Sequence, residues 1–341
     1  MMKWIKILPV AVLLLMGVTV VSHAEDKPKV IRYGFNGNGL GRPFTGGVGG
    51  VINDKNLLEK EFAKDGIRIE KTFLASTGPG LNEAFASGLL DIAGFGDFPN
   101  IVGRAGGLKT RWILVGVRGD NSRIIVHPES NITSVKQLKG LRIGVAKGTW
   151  AQLWFAKILV VNGLTEKDVK VLNLKGSDAT AAFVAGSIDA VVGGSLSLVD
   201  QGLAKILYES NKDPQSLRGR DGLLVTEAFA QKYPDIVKRI VKVNIQAAYW
   251  LSQPQNTAEY LRISGKTGGV YKDAKKDYLT HDLKVKWNPR LDKEAIDHYQ
   301  AKADFCYANG YIRNKLDVEK WADKSFSEAA LKELGLENYW K

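Results

Sequence analysis

Leu141-Arg142-Ile143-Gly144-Val145-Ala146-Lys147-Gly148-Thr149-Trp150-Ala151 opens as an apolar run of strand character, turns on Lys147-Gly148-Thr149, and enters a stretch of helical spacing that continues to Val161. Two other turns obey the same grammar. Ser76-Thr77-Gly78-Pro79-Gly80 lies between a strand-like 67–74 and a helix-like 81–87, and Gly94-Phe95-Gly96-Asp97-Phe98-Pro99 joins a short buried strand, 91–94, to a helical 101–105. Alternation of this kind marks an α/β sheet with crossover connections. Each helix start leaves backbone N–H groups unpaired at the positive end of the helix dipole, and small residues there let an anion approach the backbone. Three such turns point to a place where helix N-termini converge on something negative, which fits a binding protein better than an enzyme.

Outward from these turns, 30–35 reads as the first strand, followed by a glycine-rich loop over 36–50 and a helix over 51–64. Strand runs at 112–117 and 123–127 are separated by Arg118-Gly119-Asp120-Asn121-Ser122, after which the pattern starts afresh: a short helix from Ser134, a strand at 169–173, a helix at 177–185 and a strand at 189–192. The polar stretch 209–221 reads as a connection, and Leu223-Leu224-Val225 as a return strand. From Glu227 onward the chain is mostly helical, with long amphipathic stretches at 228–251 and 291–309, and Pro234, Pro254 and Pro289 marking helix starts or breaks. The expected organisation is two similar α/β lobes with a helical C-terminal extension. Residues 25–117 and 223–341 would form the first lobe and 118–222 the second.

The first 24 residues read as a leader. Lys3 and Lys6 precede an apolar run over 7–21, and Ser22-His23-Ala24 fits a small-x-small cleavage site. A run of 15 residues is short for a bilayer span, which needs about 20. Cleavage after Ala24 would leave 317 residues and lower the formal net charge from +12 to +10. A chain of that length divides into two domains. Its single cysteine, Cys306, forbids an intramolecular disulfide and reads as a buried small hydrophobe in a helix. The basic residues are scattered, without zinc-finger spacing, an RNP-like motif or a basic arm, so nucleic acid is not an expected partner. His127, His281 and His298 stand far apart, which disfavours a metal site and histidine acid–base chemistry. Gly193-Gly194-Ser195 lacks the Gly-x-Ser-x-Gly elbow of a serine hydrolase.

Taken in order, several motifs resemble the type II periplasmic binding proteins of ABC importers, in the sulfonate/nitrate/taurine branch. They are Ser76-Thr77-Gly78-Pro79, Ala86-Ser87-Gly88-Leu89-Leu90-Asp91, Gly96-Asp97-Phe98-Pro99, Ser134-Val135-Lys136-Gln137-Leu138-Lys139-Gly140, Lys147-Gly148-Thr149, Gly186-Ser187-Ile188-Asp189-Ala190 and Ala228-Phe229-Ala230-Gln231-Lys232-Tyr233-Pro234-Asp235. The resemblance covers nearly all of the chain beyond the leader. It implies two lobes joined by two crossing hinge strands, a periplasmic location, a monomer without cofactor or catalysis, and a permease and ATPase as partners. The ligand would be a small organic anion, an alkyl or aromatic sulfonate before taurine or nitrate. A thiamine-pyrimidine-like heterocycle and an exported two-lobe enzyme are the competing readings.

Carried over to matching turns, the resemblance nominates Asn36, Thr77, Gly78, Gly96, Asp97, Thr149 and Trp150 as ligand contacts. The residues themselves add others. Phe95 and Phe98 could line the cleft, as Trp150 could, unless these aromatics are core. Arg118, at the end of a crossing strand, has the fork geometry for a sulfonate or could form a hinge ion pair. Arg42 and Phe44 lie in the glycine loop. Ser195 belongs to a turn where many relatives carry Trp-Asp-Pro-Tyr, a departure that leaves the ligand's tail open. Asp97 is either a helix N-cap or a partner for an ammonium group.

Overall fold

The computed structural model describes residues 27–37, 44–75, 77–214, 217–268, 271–279 and 282–341. The expected leader and Arg42 lie outside them. Four strands come first: β1 (Val30–Asn36), β2 (Arg68–Leu74), β3 (Ile92–Gly96) and β4 (Thr110–Asp120). The chain then crosses to a second sheet built from β5 (Arg123–Val126), β6 (Arg142–Val145), β7 (Lys170–Asn173), β8 (Ala190–Val192) and β9 (Lys205–Glu209), and returns as β10 (Gly219–Thr226). The sheet orders are β2-β1-β3-β10-β4 and β7-β6-β8-β5-β9. In each, the strands joined by helical crossovers run parallel, whereas β10 lies antiparallel to β3 and β4, and β5 antiparallel to β8 and β9. The two passages between the sheets are β4 into β5 and β9 into β10.

The helices that frame the cleft are α1 (Gly47–Lys55), α2 (Leu57–Phe62), α3 (Thr77–Ala86), α4 (Asp97–Ala105), α5 (Trp150–Val161), α6 (Gly176–Val184) and α7 (Leu196–Asp200). The C-terminal part adds α8 (Glu227–Lys232), α9 (Pro234–Leu251), α10 (Thr257–Gly265), α11 (Tyr271–Leu279), α12 (Leu283–Lys286) and α13 (Lys293–Ala308). Helix α9 shows why the first sheet is covered so well. Its buried residues Ile236, Val237, Ile240 and Val241 recur at helical spacing and share one apolar cluster with Ile31, Tyr33 and Val225 of the sheet. Each full burial of this kind is worth about 1.5–3 kcal/mol. The second sheet has its own core around Ile124, Ile143, Trp154 and Phe155. Leu153 of α5 instead joins the cluster of Phe95, Phe98 and Trp112, so the start of that helix packs on the first sheet's half.

Several boundaries differ from the sequence expectation for local reasons. The glycine loop ends early, because α1 already begins at Gly47. A Cβ on Gly50 would stand 2.7 Å from the Thr45 carbonyl oxygen, and one on Gly49 3.0 Å from the Phe35 ring, so this helix needs glycines to approach its neighbours. The expected helix 51–64 breaks at Asn56, whose φ of 50° is left-handed. Strand β4 runs on through Arg118 to Asp120. The polar stretch 209–221 conceals the end of β9 and the start of β10, and Pro234 divides the long expected helix in two.

Candidate functional site

A cavity of about 770 Å³ opens between the halves of the molecule. Its walls come mostly from the first sheet and the helices over it: Tyr33, Phe35 and Asn36 of β1, residues 114–117 and Asp120 of β4, residues 221–223 of β10, and the N-terminus of α1. Among the described residues, those that reach it from the second sheet and its helices are 175–178, at the N-terminus of α6. Thr77, at the start of α3, completes the mouth. Three helix starts therefore border one space, and each leaves first-turn amides without intrahelical acceptors. Thr77 adopts a left-handed φ of 61°, a conformation that costs a non-glycine residue about 1–3 kcal/mol and persists only where its surroundings enforce it. Lys175 closes the mouth by donating from Nζ to the Ala75 carbonyl at 2.9 Å.

Of the residues singled out in the sequence, Asn36, Phe44 and Thr77 line this cavity. The other described ones sit elsewhere. Gly78 packs under α4, where a Cβ would meet the Pro99 ring at 2.2 Å. Phe95 and Phe98 are core residues of the first half, with Phe98 edge-on to Tyr311. Gly96 pairs with Asp221 across the sheet and faces Trp150. Trp150 lies flat against Gly219, where a Cβ would come within 2.3 Å of the indole, so it occupies the junction of α5 and β10. Thr149 precedes α5 and donates its hydroxyl to the Ala146 carbonyl at 2.7 Å. Gly148 abuts Pro79 of α3 across the cleft. The third turn is thus a contact between the halves rather than part of the cavity wall.

Asp97, Arg118 and Ser195 are engaged in ion pairs and caps. Asp97 is fully buried as the first residue of α4. Its Oδ1 accepts from the Phe98 amide at 2.7 Å, and its Oδ2 accepts from the Arg220 amide at 3.0 Å and from the Lys302 ammonium. Burial opposes its charge, but Lys302 and His298 outweigh that and hold the carboxyl well below the usual range. Arg118 spends its guanidinium on α13 and the segment before it. It donates to the carbonyls of Asn288 and Arg290 and to the carboxylates of Asp292 and Glu294 at 2.6–3.0 Å. Arg220 reaches the same Glu294 through both terminal nitrogens, so both crossing strands are tied to α13. Ser195 caps α7 and donates to Asp273 of α11 at 2.7 Å, and the Leu196 amide bonds the same carboxylate.

Other lining groups went unmarked in the sequence. The start of α6, Lys175-Gly176-Ser177-Asp178, carries the same small-residue signal as the three turns and could have been found by it. Tyr260 of α10, Lys286 of α12 and Trp287 just after it also reach the cavity, from a region whose sequence reads only as mostly helical. Asp120 and Asp221 come from opposite ends of the chain's passage through the second half. Burial, before any neighbouring charge, pushes both carboxyls up, Asp221 the further. Among the described residues no group of histidine, cysteine and acidic side chains could hold a metal ion, and no helix is long and apolar enough to cross a membrane.

The comparisons with known proteins agree with this geometry. The family model described as NMT1/THI5 like matches residues 62–257. A Bacillus subtilis (strain 168) protein named as an aliphatic sulfonates-binding protein is 31% identical over 290 residues, spanning 83% of this chain and 84% of that one. The periplasmic sulfonate-binding protein SsuA from Methylobacillus flagellatus KT has a similar structure, at 28% identity and a TM-score of 0.80, covering 92% of this chain and 97% of that one. The desulfurization enzyme DszB shares the fold at 15% identity and a TM-score of 0.66, over 90% of this chain and 99% of that one. Architecture alone therefore does not separate binding from catalysis, and the site has to. With its two sheets, two crossing passages and helical C-terminal part, the chain belongs to the NMT1/THI5-like family and has the two-lobe fold of a type II periplasmic binding protein.

Proposed function

We propose that this chain is the substrate-binding component of an ABC importer, exported to the periplasm behind a cleaved leader, and that it encloses an organic sulfonate by closing its lobes. The observation that carries the reading is the single cavity bordered by the starts of α1, α3 and α6, with residues from both halves. Solvation of the acid group by backbone amides is what helix starts do best, and closure strengthens each such bond by excluding water. Closure is also the event that a permease and its ATPase can sense.

In this reading the lobes are residues 25–117 with 223–341, and 118–222. Asn36, Thr77 and the first turn of α6 hold the acid group, and Phe44 covers the ligand's body. Asp97, Arg118, Trp150 and Ser195 hold the lobes and the crossing strands in place instead of touching the ligand. The protein acts as a monomer and does no chemistry; among the described residues its cysteine, Cys306, is buried on α13 and does not border the cavity. Calorimetry against alkane- and arenesulfonates, taurine and nitrate tests the reading. Micromolar or tighter binding of a sulfonate supports it. Binding of none of them, or turnover of a bound one, overturns it. The mass of a ligand carried through purification would expose a neutral heterocycle as the occupant.

A further inference from the structure

The charges inside the cavity do not suit an anion by itself. Asp120 and Asp221 both line it, and beside them stands the buried Lys286, with Nζ 3.7 Å from Asp120 Oδ1. Among the described residues, no cation or hydrogen-bond donor engages the Asp221 carboxylate. Lys175 and Asp178 at the start of α6 offset each other, so with both crossing-strand carboxyls ionised the lining is formally −1, and a plain sulfonate would add a second uncompensated negative charge. Desolvated like charges at this range cost several kcal/mol. Around these charges stand the aromatic rings of Tyr33, Phe35, Phe44, Tyr260 and Trp287, among other lining residues. Carboxylates flanked by aromatic rings are the surroundings that favour a cation. The volume is also informative, since cavities of roughly 300–1,000 Å³ enclose drug-sized ligands. Nitrate or a two-carbon sulfonate would leave most of 770 Å³ to water.

We propose that the cavity takes a zwitterionic sulfonate with an extended apolar body, whose acid group sits at the starts of α3 and α6 and whose protonated nitrogen sits at Asp221 and Asp120. Lys286 keeps Asp120 partly neutralised, which leaves Asp221 as the main partner of the nitrogen. The proposal rests on the sulfonate reading above and adds to it a cation subsite on the crossing strands. The raised Asp221 carboxyl agrees with it, because burial disfavours its charge and an ammonium beside it would offset that.

The test is calorimetry of the full mature chain with two series, alkanesulfonates and ω-aminoalkanesulfonates matched in length, from two carbons upward. The expected result is a preference for the amino series of roughly tenfold to a hundredfold, as a charge-assisted hydrogen bond provides. That preference should be largest in the longer members and close to parity in Asp221→Asn. Asp120→Asn serves as the second variant and should reduce the preference less. Equal affinity for the two series in the wild type overturns the proposal and leaves the sulfonate reading standing. So does an alkanesulfonate that binds with uptake of one proton, seen as an enthalpy that varies with the buffer, because Asp221 would then act as an acid. Binding of neither series overturns both. Should Asp221→Asn fail to fold, the wild-type comparison together with Asp120→Asn still decides.

Discussion

Asp97→Asn separates a ligand role from a structural one at the second turn. The carboxylate is fully buried and meets three donors: the amides of Phe98 and Arg220 and the ammonium of Lys302. Lys302 is 2% exposed, and its other acceptor is the Arg218 carbonyl at 2.8 Å. An amide in place of the carboxylate removes the counter-charge and turns an N–H toward at least one of those donors. Two unit charges about 4 Å apart attract by about 4 kcal/mol at an effective dielectric of ~20. Removing one partner of a buried pair costs about 3–5 kcal/mol in practice, so the two figures agree. Urea unfolding followed by tryptophan fluorescence should show an unfolding free energy lowered by that amount, through a lower midpoint with the slope unchanged. Sulfonate affinity of the folded fraction should stay within about twofold, since neither residue borders the cavity. The double variant Asp97→Asn with Lys302→Met should recover much of the loss, because it leaves no charge unpaired. An unchanged midpoint together with weakened binding would refute the assignment and make Asp97 a ligand group.

Three more outcomes follow from local geometry. Gly219→Ala places a methyl 2.3 Å from the Trp150 ring and should cost about 1–3 kcal/mol in thermal unfolding, relieved when Trp150→Ala is added. His298 is buried beside Asp97 and Lys302, and burial followed by repulsion from Lys302 holds its pKa well below 6.5. The unfolded chain therefore binds the proton first, and stability that is complete above pH ~6.5 falls by about 1.4 kcal/mol per pH unit below it. His298→Gln should flatten that slope in urea midpoints taken from pH 7 to 5. Burial and then Lys302 lower the Lys157 ammonium to about 8, so its cost to folding is full below pH 8 and fades as pH rises toward 10.5. Lys157→Met should accordingly raise the melting temperature at pH 7 and lose its advantage near pH 10.

The architecture was legible because local signals repeat. Strand runs, small-residue turns and helical spacing recur in both halves, and Gly140 and Gly186, both at positive φ, stand just before β6 and β8 where the sequence puts punctuation. The edge strand β9 was not, because its residues are all half-buried and lack a clear alternation. Of the three turns read as converging, one borders the cavity. Thr77 opens into the cavity, while the turns at Gly96 and Thr149 are consumed by contacts with β10 and α3. Helix starts look alike in sequence, and which of them faces a cleft depends on how the halves dock. The same limit hid Lys286 and Tyr260, since a helix face chosen by tertiary packing carries no sign of whether it meets core or cavity.

Alternation along one strand links the site to the hinge. Successive side chains of β10 point to opposite faces, so Arg220 turns to Glu294 on α13 while Asp221 turns to the cavity. On β4, Arg118 pairs with Arg220 in register and bonds the same Glu294, and Asp120 reaches the cavity beyond a shift in that register. A slip of one residue in β10 would bring a guanidinium into the cavity and a carboxylate against Glu294, which makes the register itself a condition for binding. It also means that the cavity's acidic end is formed by β4 and β10, the two strands at the passages between the sheets, which would bend in the proposed closure. Under the proposal above, a cation between Asp120 and Asp221 would bridge the two crossing strands, so the group that sets specificity would also favour the closed form.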